Sequence, residues 1–274
     1  MMASVSRESY AAASERLEAH ARRANPETIA GTAGDVLGVA DLLRREPRLR
    51  RALSDPARPG EDRAGLLSTL LEGKVGKPAL DMVGALVAGR WSAPSELLGA
   101  TERLGVEALL ASADRAGDLG EVEDELFRFG QIVTADPALG GTLSDVIAPV
   151  AQRAELVRAL LSGKAKAVTV RLVEVALAGF GGRSFDGALA RLVELSAERR
   201  DRQVAYVTVA APLTDEEERR LGAKLAELYG REVSVKQLVQ PEILGGMSVR
   251  VGSDLYDGTV LRRLTDTRNA LAKR

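Results

Sequence analysis

The sequence has no cysteine, one histidine and very few aromatic residues. Aromatic residues make up 3% of the 274, and the single histidine is His20. Without cysteine the chain can form neither a disulfide nor a cysteine-ligated metal site. His20 has no second histidine with which to form a metal cluster, and its polar helical surroundings favour a solvated side chain. Because aromatic residues are scarce, Leu, Val and Ala must build the core, which favours helical packing.

The sequence also lacks a strong net charge and a long apolar run. The net charge is −1 and the isoelectric point is about 6.1, so no overall basic field exists to attract nucleic acid. The most apolar stretch, ALDMVGALVAG (residues 79–89), contains Asp81 and falls short of the ~18–20 residues of a membrane span. The N-terminus lacks the apolar core of a signal peptide. We therefore expect a soluble or peripheral, cytoplasmic protein without a membrane span.

Residues 1 to about 200 have the apolar spacing of α-helices, with Ala, Leu, Glu and Arg predominant. A repeat lies within this region. When residues 46–91 are set against residues 136–181 without a gap, sixteen pairs are identical, among them Pro47/Pro137, Arg63/Arg153 and Gly73/Gly163. A period of 90 residues is about the size of a small domain, so the repeat predicts two helical bundles in tandem.

The segment between the two copies, residues 92–117, has two readings. It predicts either one long helix that closes the first bundle and opens the second, or two helices with a kink near Gly105, a weak point for a helix. The residues alone leave this open.

The composition changes after residue 201. Two β-branched segments, RQVAYVTVA and REVSVKQLV, predict strands on either side of a helix that Thr214 and Glu217 cap and Gly230 ends. A third strand, GMSVRVG, precedes a last helix from about residue 257 to 271. The predicted fold is therefore mainly α, with two tandem helical bundles (residues 1–100 and 101–200) and a small C-terminal α/β module of order β-α-β-β-α (residues 201–274).

Searching for catalytic or cofactor-binding motifs gives nothing specific. The Gly-Lys pairs in EGKV (residues 72–75) and SGKA (residues 162–165) lack the upstream glycine and the Ser/Thr of a phosphate-binding loop. We expect no catalytic residue, no cofactor and no metal. An interaction or scaffold protein is the favoured class; a stand-alone helical adaptor and a nucleotide-binding enzyme are the alternatives.

The C-terminal region carries a specific pattern of short motifs. It contains the sequences APLT, PEILGG, DGTV and RL in this order and with characteristic spacing. Their key residues are Pro212, Leu213, Pro241, Glu242, Leu244, Gly245, Gly246, Asp257, Gly258, Arg263 and Leu264. The pattern resembles that of the delta subunit of bacterial F-type ATP synthases, the family of the mitochondrial oligomycin-sensitivity-conferring protein. Most delta subunits have one helical domain, whereas this sequence has two, as in a longer actinobacterial form.

The resemblance implies a non-catalytic, peripheral-stalk (stator) subunit, present as one copy per complex on the cytoplasmic face of the bacterial plasma membrane. It implies that the helical part binds N-terminal helices of alpha subunits and that the C-terminal module binds the C-terminal helix of the b subunit. Holding the catalytic head still would couple proton transport to ATP synthesis. A groove for an alpha helix would be lined by Tyr10, Ala13, Leu80, Val83 and Val87, although which bundle binds alpha stays open.

The paired glycines Gly245 and Gly246 precede the third predicted strand. Glycine adopts backbone conformations that other residues resist and permits close packing. We expect at least one of them to have a positive φ angle or to pack against a neighbouring backbone.

Overall fold

The chain is mainly α-helical, as predicted, with a small C-terminal sheet. The computed structural model describes residues 4–200, 202–230, 232–252, 254–260, 262 and 264. Over these residues it contains twelve α-helices and four β-strands. Internal packing divides the chain into a helical unit, Met1–Leu192, and a C-terminal unit, Val193–Arg274. The predicted domain boundaries at residues 100 and 200 stay predictions.

The helices occur in two successive sets. The first set is α1 (Ser4–Arg23), α2 (Pro26–Arg45), α3 (Pro47–Ser54), α4 (Gly60–Leu71) and α5 (Lys77–Ala88). Then comes α6 (Pro94–Ala116), followed by the second set: α7 (Leu119–Ala135), α8 (Pro137–Ser144), α9 (Val150–Leu161), α10 (Ala167–Leu177) and α11 (Phe185–Arg199). The helices α8, α9 and α10 each begin 90 residues after α3, α4 and α5, so the helix bounds follow the sequence repeat.

Individual hydrogen bonds recur with the same offset. The Asp35 carboxylate accepts from the Gly76 backbone N–H at 2.7 Å, and the Glu125 carboxylate accepts from the Lys166 N–H at 3.0 Å. Gly76 and Lys166 directly precede α5 and α10, which correspond in the repeat, so each carboxylate satisfies a backbone donor left unpaired at a helix start. The buried Arg63 and Arg153 likewise donate to the carbonyls of Leu53 and Leu143. The two copies thus share internal contacts as well as helix lengths.

The long helix α6 is continuous, which decides between the two readings of residues 92–117. It packs against α1, α2, α3 and α5 of the first copy and against α7 and α10 of the second. Gly105 lies where α2 crosses it: a Cβ atom there would lie 2.6 Å from the Leu37 side chain. Glycine at this position permits close helix packing, so its presence in α6 marks a contact and not a kink.

The C-terminal unit contains a mixed sheet in the order β2-β1-β3-β4. Its strands are β1 (Arg202–Val209), β2 (Glu232–Val239), β3 (Met247–Val251) and β4 (Asp254–Asp257). Helix α12 (Asp215–Tyr229) connects β1 to the parallel β2, whereas β3 pairs antiparallel with both β1 and β4. The fourth strand is a correction, since the sequence predicted three strands and started a helix at Asp257.

The core of this sheet lies on the face covered by α12. Every second residue of β1 and β3 joins Leu225 of the helix in one buried cluster: Ala205, Val207, Val209, Val249 and Val251. The predicted capping box is confirmed, because Thr214 and Glu217 exchange side-chain and backbone hydrogen bonds at the start of α12. Gly230, at φ +69°, ends the helix as predicted. Helix and sheet therefore fix the turns that carry the motif residues.

Candidate functional site: surfaces for partner proteins

The PEILGG motif (residues 241–246) and the DGT motif (residues 257–259) are separate in the sequence, but backbone hydrogen bonds join them in the structure. Gly245 and Gly246 have φ angles of +128° and +81°, which confirms the expectation for the glycine pair. The Gly245 carbonyl accepts from the Val260 N–H at 3.0 Å, and the Gly258 N–H donates to the Met247 carbonyl at 2.9 Å. A Cβ atom on Gly246 would lie only 2.4 Å from the Gly258 carbonyl oxygen. The glycines therefore let two backbone segments pass in direct contact.

Asp257 holds the second of these segments in its turn. Its carboxylate accepts from the Thr259 N–H at 3.0 Å and from the Thr259 hydroxyl at 2.7 Å. Both hydrogen bonds lower the pKa of Asp257 below its usual value of 3.8, and the bond from the hydroxyl has the larger effect. Asp257 thus fixes this turn through two local hydrogen bonds.

The lowered pKa gives a test of this turn. When a carboxyl group has a lower pKa in the folded chain than in the unfolded chain, its ionised form stabilises the fold. This contribution is complete at pH values above the unfolded pKa and is lost as the pH falls through the folded pKa. Thr259→Val should therefore raise the pKa of Asp257 toward 3.8, measured by NMR titration of the carboxyl carbon. The variant should be less stable than the wild type at neutral pH, and the difference should shrink toward acid pH. An unchanged pKa would contradict the assignment.

The other motif residues divide between packing and exposure. Leu213 is half-buried, packs against the sheet core, and its N–H donates to the Gln237 side chain at 2.8 Å. Pro212, Pro241 and Glu242 are exposed. Leu244 and Leu264 are 73% and 57% exposed, and Arg263 lies outside the described residues. The exposed leucines, which sequence alone would place in a core, instead offer apolar surface.

Exposed apolar surface therefore lies beside the glycine pair. Val260, bonded to Gly245, is 37% exposed, and Leu255 on the edge strand β4 is 65% exposed. Exposed apolar side chains grouped on one part of a surface are typical of sites that bind partners. This apolar patch, of Leu244 and Val260 beside the glycine pair, is the candidate interaction surface of the C-terminal unit.

In the helical unit, four of the five predicted groove residues are core residues. Tyr10, Ala13, Val83 and Val87 are buried and Leu80 is half-buried. The Arg103 guanidinium lies over the Tyr10 ring, 4.9 Å from its centre, and burial raises the pKa of Tyr10 well above its usual value. In this state the packed helices cover these side chains. Their part in binding an alpha helix stays a prediction.

An open cleft of about 560 Å³ does lie between α1 and α5. Of the described residues that line it, Arg16, Arg23 and Lys77 are cationic and Asp81 is the one carboxylate. His20 also lines it, half-buried, with its Nε2 atom 3.1 Å from the Thr32 hydroxyl; this corrects the expectation of a merely solvated histidine. The cleft, which we call the α1–α5 cleft, suits a ligand with acidic groups.

Further surface residues were missed by the sequence analysis. Val146, Ile147 and Val150 are exposed in the second copy, at positions that match Pro56, Ala57 and Gly60 of the first. The signal was available, because the 90-residue alignment sets three aliphatic residues against proline, alanine and glycine.

In the part of the chain that the structure describes, the acidic and histidine side chains form no group of three or more that could hold a metal ion. None of the described helices combines the length and apolar character needed to cross a membrane.

The comparisons with known proteins identify the family. Residues 106–271 match the family model described as ATP synthase delta (OSCP) subunit. The chain is 72% identical over 274 residues to ATP synthase subunit delta of Salinispora arenicola (strain CNS-205), covering 100% of both chains. It is 46% identical over 271 residues to the subunit of the same name from Streptomyces griseus, covering 99% of this chain and 100% of the relative.

Among solved structures, a chain of the Toxoplasma gondii mitochondrial ATP synthase hexamer is similar to 61% of this chain and 94% of its own length, with 18% identity and a TM-score of 0.34. The family assignment stands on the sequence comparisons, in which the model spans more than half of the chain and the relatives span nearly all of it. The chain therefore belongs to the ATP synthase delta (OSCP) subunit family.

Proposed function

We propose that the chain is the stator link of a proton-translocating F-type ATP synthase. Membership of the delta (OSCP) family makes it a component of the peripheral stalk. In this role the helical unit binds N-terminal helices of alpha subunits and the C-terminal unit binds the b subunit. The chain does no chemistry itself and sits peripherally, at the cytoplasmic face of the plasma membrane. The observation that carries the proposal is the 72% identity to an ATP synthase delta subunit over the whole of both chains.

The α1–α5 cleft supports the alpha assignment. An amphipathic helix binds a groove through apolar anchors, and flanking charges select its partner. Met82 and Pro78 give the cleft apolar walls, while Arg16, Arg23 and Lys77 outnumber Asp81. A helix with carboxylates beside its apolar stripe fits this charge.

The apolar patch of the C-terminal unit supports the b assignment. Leu244 and Val260 are exposed beside the glycine turn, whose backbone hydrogen bonds join two segments. A stalk that resists torque needs an interface of at least standard size, about 1,600 Å². Exposed aliphatic side chains on a fixed turn can begin such an interface.

A reconstitution experiment tests the proposal. Membrane vesicles stripped of this subunit and of the catalytic head should recover proton-driven ATP synthesis when both are added back. The triple variant Arg16→Glu/Arg23→Glu/Lys77→Glu should restore at most about a tenth of this activity, because it repels an acidic helix. Arg22→Glu, an exposed charge reversal on the same helix outside the cleft, is the control.

Two outcomes would contradict the stator role. Recovery of synthesis without the chain would show that it is dispensable for coupling, as for a stand-alone adaptor. A change in ATP hydrolysis by the detached head on adding the chain would contradict a purely mechanical part.

A further inference from the structure

A cleft of about 560 Å³ lies in the helical unit between α2 on one side and α9 and α10 on the other. Small and aliphatic side chains form much of its lining, among them Ala151, Ala154 and Val175. Four arginines and three carboxylates also line it, so its described lining has one positive charge in excess. This cleft, which we call the α2–α9 cleft, has the size and the largely apolar walls of a site for a small molecule.

The excess positive charge lies on the side of the cleft formed by α9 and α10. There the half-buried Glu174 carboxylate accepts from Arg158 Nε at 2.6 Å and from Arg171 Nη1 at 3.2 Å. One carboxylate is therefore shared by two exposed guanidinium groups, which we call the arginine pair. Within the described part of the chain, the remaining N–H groups of this pair donate to no other residue. These donors are available to an anion.

The two arginines on the α2 side are balanced by carboxylates. Arg44 pairs with Asp41 at 3.4 Å and with the buried Glu102 at 2.8 Å, and Arg45 pairs with Asp41 as well. Two carboxylates thus face two guanidinium groups at this rim. An anionic ligand is therefore attracted to the arginine pair of α9 and α10 and not to α2.

The internal repeat shows that the fold does not need the arginine pair. Ser68 and Asp81 stand 90 positions before the two arginines, and Gly84 stands 90 positions before Glu174. Helices α4 and α5 nevertheless pack against each other, as α9 and α10 do. Packing of this helix pair therefore does not depend on two arginines around a carboxylate. The cluster belongs to the second copy alone, as expected of residues with a separate task.

Two glycines open the opposite wall of the cleft. Gly34 and Gly38 lie one turn apart inside α2, where glycine destabilises a helix relative to alanine. Among the described residues, a Cβ atom on Gly38 would meet no atom within 4 Å, and one on Gly34 would meet Arg171 Nη2 at 3.9 Å. Packing within the chain therefore requires neither glycine. A helix wall without side chains lets a ligand lie against the backbone.

The two walls define the shape of this ligand. Ala154 and Ala151 precede Arg158 by one and two turns of α9, about 6 and 10 Å along the helix axis. The arginine pair suits an anionic group at one end of the ligand, because guanidinium forks match phosphate oxygens. The alanines and the two glycines suit an apolar body that extends about 10 Å from that group.

We propose that the α2–α9 cleft binds a phosphate monoester with an apolar body, its phosphate on Arg158 and Arg171. A phosphate monoester offers three acceptor oxygens to the two guanidinium groups, whereas a carboxylate offers two. A nucleoside monophosphate and a phosphatidic acid share this chemistry. The proposal goes beyond the stator role and does not depend on it, because the cleft needs no other subunit to bind such a ligand.

Calorimetric titration of the full chain with AMP, with dihexanoyl phosphatidic acid below its micellar concentration, and with inorganic phosphate tests this. The wild type should bind one molecule of AMP or of the lipid at least about tenfold more tightly than inorganic phosphate, because the apolar body buries additional area. Arg158→Gln/Arg171→Gln should weaken that binding at least about tenfold, since charge-assisted hydrogen bonds are lost. Both side chains are exposed, so the helical circular dichroism spectrum should be unchanged.

Two further variants act as controls. Arg22→Gln/Arg128→Gln removes the same charge at two exposed positions outside the cleft and should leave binding unchanged. Gly38→Leu fills the α2 wall and should weaken the binding of AMP or of the lipid but not that of inorganic phosphate. Binding of one of the two organic phosphates alone would support the site and identify the source of its phosphate.

Three results would overturn the proposal. The first is that neither AMP nor the lipid binds, or that inorganic phosphate binds as tightly as they do. The second is equal affinity of the wild type and Arg158→Gln/Arg171→Gln. The third is an equal loss in Arg22→Gln/Arg128→Gln, which would indicate general attraction by positive charge and not a site.

Discussion

Gly246→Val should open the C-terminal unit while the helical unit stays folded. A non-glycine residue at φ +81° costs about 1–3 kcal/mol in backbone strain. The Cβ atom would also lie 2.4 Å from the Gly258 carbonyl oxygen and 2.9 Å from the Thr259 Cα atom. Backbone atoms cannot rotate away as a side chain can. Since a unit of this size has about 3–5 kcal/mol of stability, we expect most of it to unfold.

Hydrogen exchange measures this result by segment. Amides of the four strands should lose protection in Gly246→Val, while those of α1–α10 keep it. Gly230→Val is the matched control: Gly230 has φ +69°, yet no atom lies within 4 Å of a Cβ atom there. Gly230→Val introduces backbone strain without a steric clash, so the strand amides should lose less protection from exchange than in Gly246→Val. Equal loss in both variants would contradict the importance of the contact between Gly246 and Gly258.

The same variant separates coupling from catalysis. ATP hydrolysis by the detached head should be unchanged, because this unit contributes no catalytic group in the proposed function. Proton-driven synthesis in vesicles should fall, since the apolar patch beside the glycines loses its support. Equal loss of both activities would speak against a mechanical role.

Arg63→Met should destabilise the helical unit by about 2–4 kcal/mol, because buried carbonyls lose a charged donor. The buried guanidinium donates to the carbonyls of Leu53 at 3.3 Å, Ala88 at 3.3 Å and Gly89 at 3.0 Å. It thereby ties the end of α3 to the end of α5. Burial lowers the pKa of Arg63, and the guanidinium stays charged because its usual pKa is far above neutral.

Arg153→Met is the comparison that the repeat provides. The Arg153 side chain is also buried, but among the described residues it makes a single hydrogen bond, to the Leu143 carbonyl at 2.9 Å. We expect a smaller loss, of about 1–2 kcal/mol. Urea denaturation of each variant, followed by helical circular dichroism, gives both values. A larger loss for Arg153→Met would show that the end of α5 does not depend on Arg63.

The sequence could not predict that Arg63 donates to more backbone carbonyls than Arg153 does. Arg63 and Arg153 stand out as an identical pair in the repeat, but identity says nothing about which carbonyls come near. Gly89 has φ −70°, whereas its counterpart Gly179 has φ +81°. The backbone after α5 thus takes a different path from the backbone after α10, and the path depends on tertiary packing.

Periodic apolar spacing predicted the helices and the first three strands well. The reason is that burial of one face sets the spacing of apolar residues in a helix and in a strand alike. It missed β4, whose sequence DLYD is short and rich in aspartate, a residue disfavoured in strands. Pairing with β3 makes it a strand. Exposure was harder still to predict, since Leu244 and Leu264 are aliphatic but lie at the surface. The sequence alone does not show whether an apolar residue is buried in the core of the chain or exposed for contact with a partner protein.

The single helix α6 links the two copies of the repeat. The family match begins at residue 106, inside α6, and extends over the second copy and the C-terminal unit. The first half of α6 is buried by α1 and α2 through residues such as Leu97 and Leu104. Deleting the first copy would expose these side chains to water. The first copy is therefore packed onto α6, and a chain without this copy would need polar residues on that face of the helix.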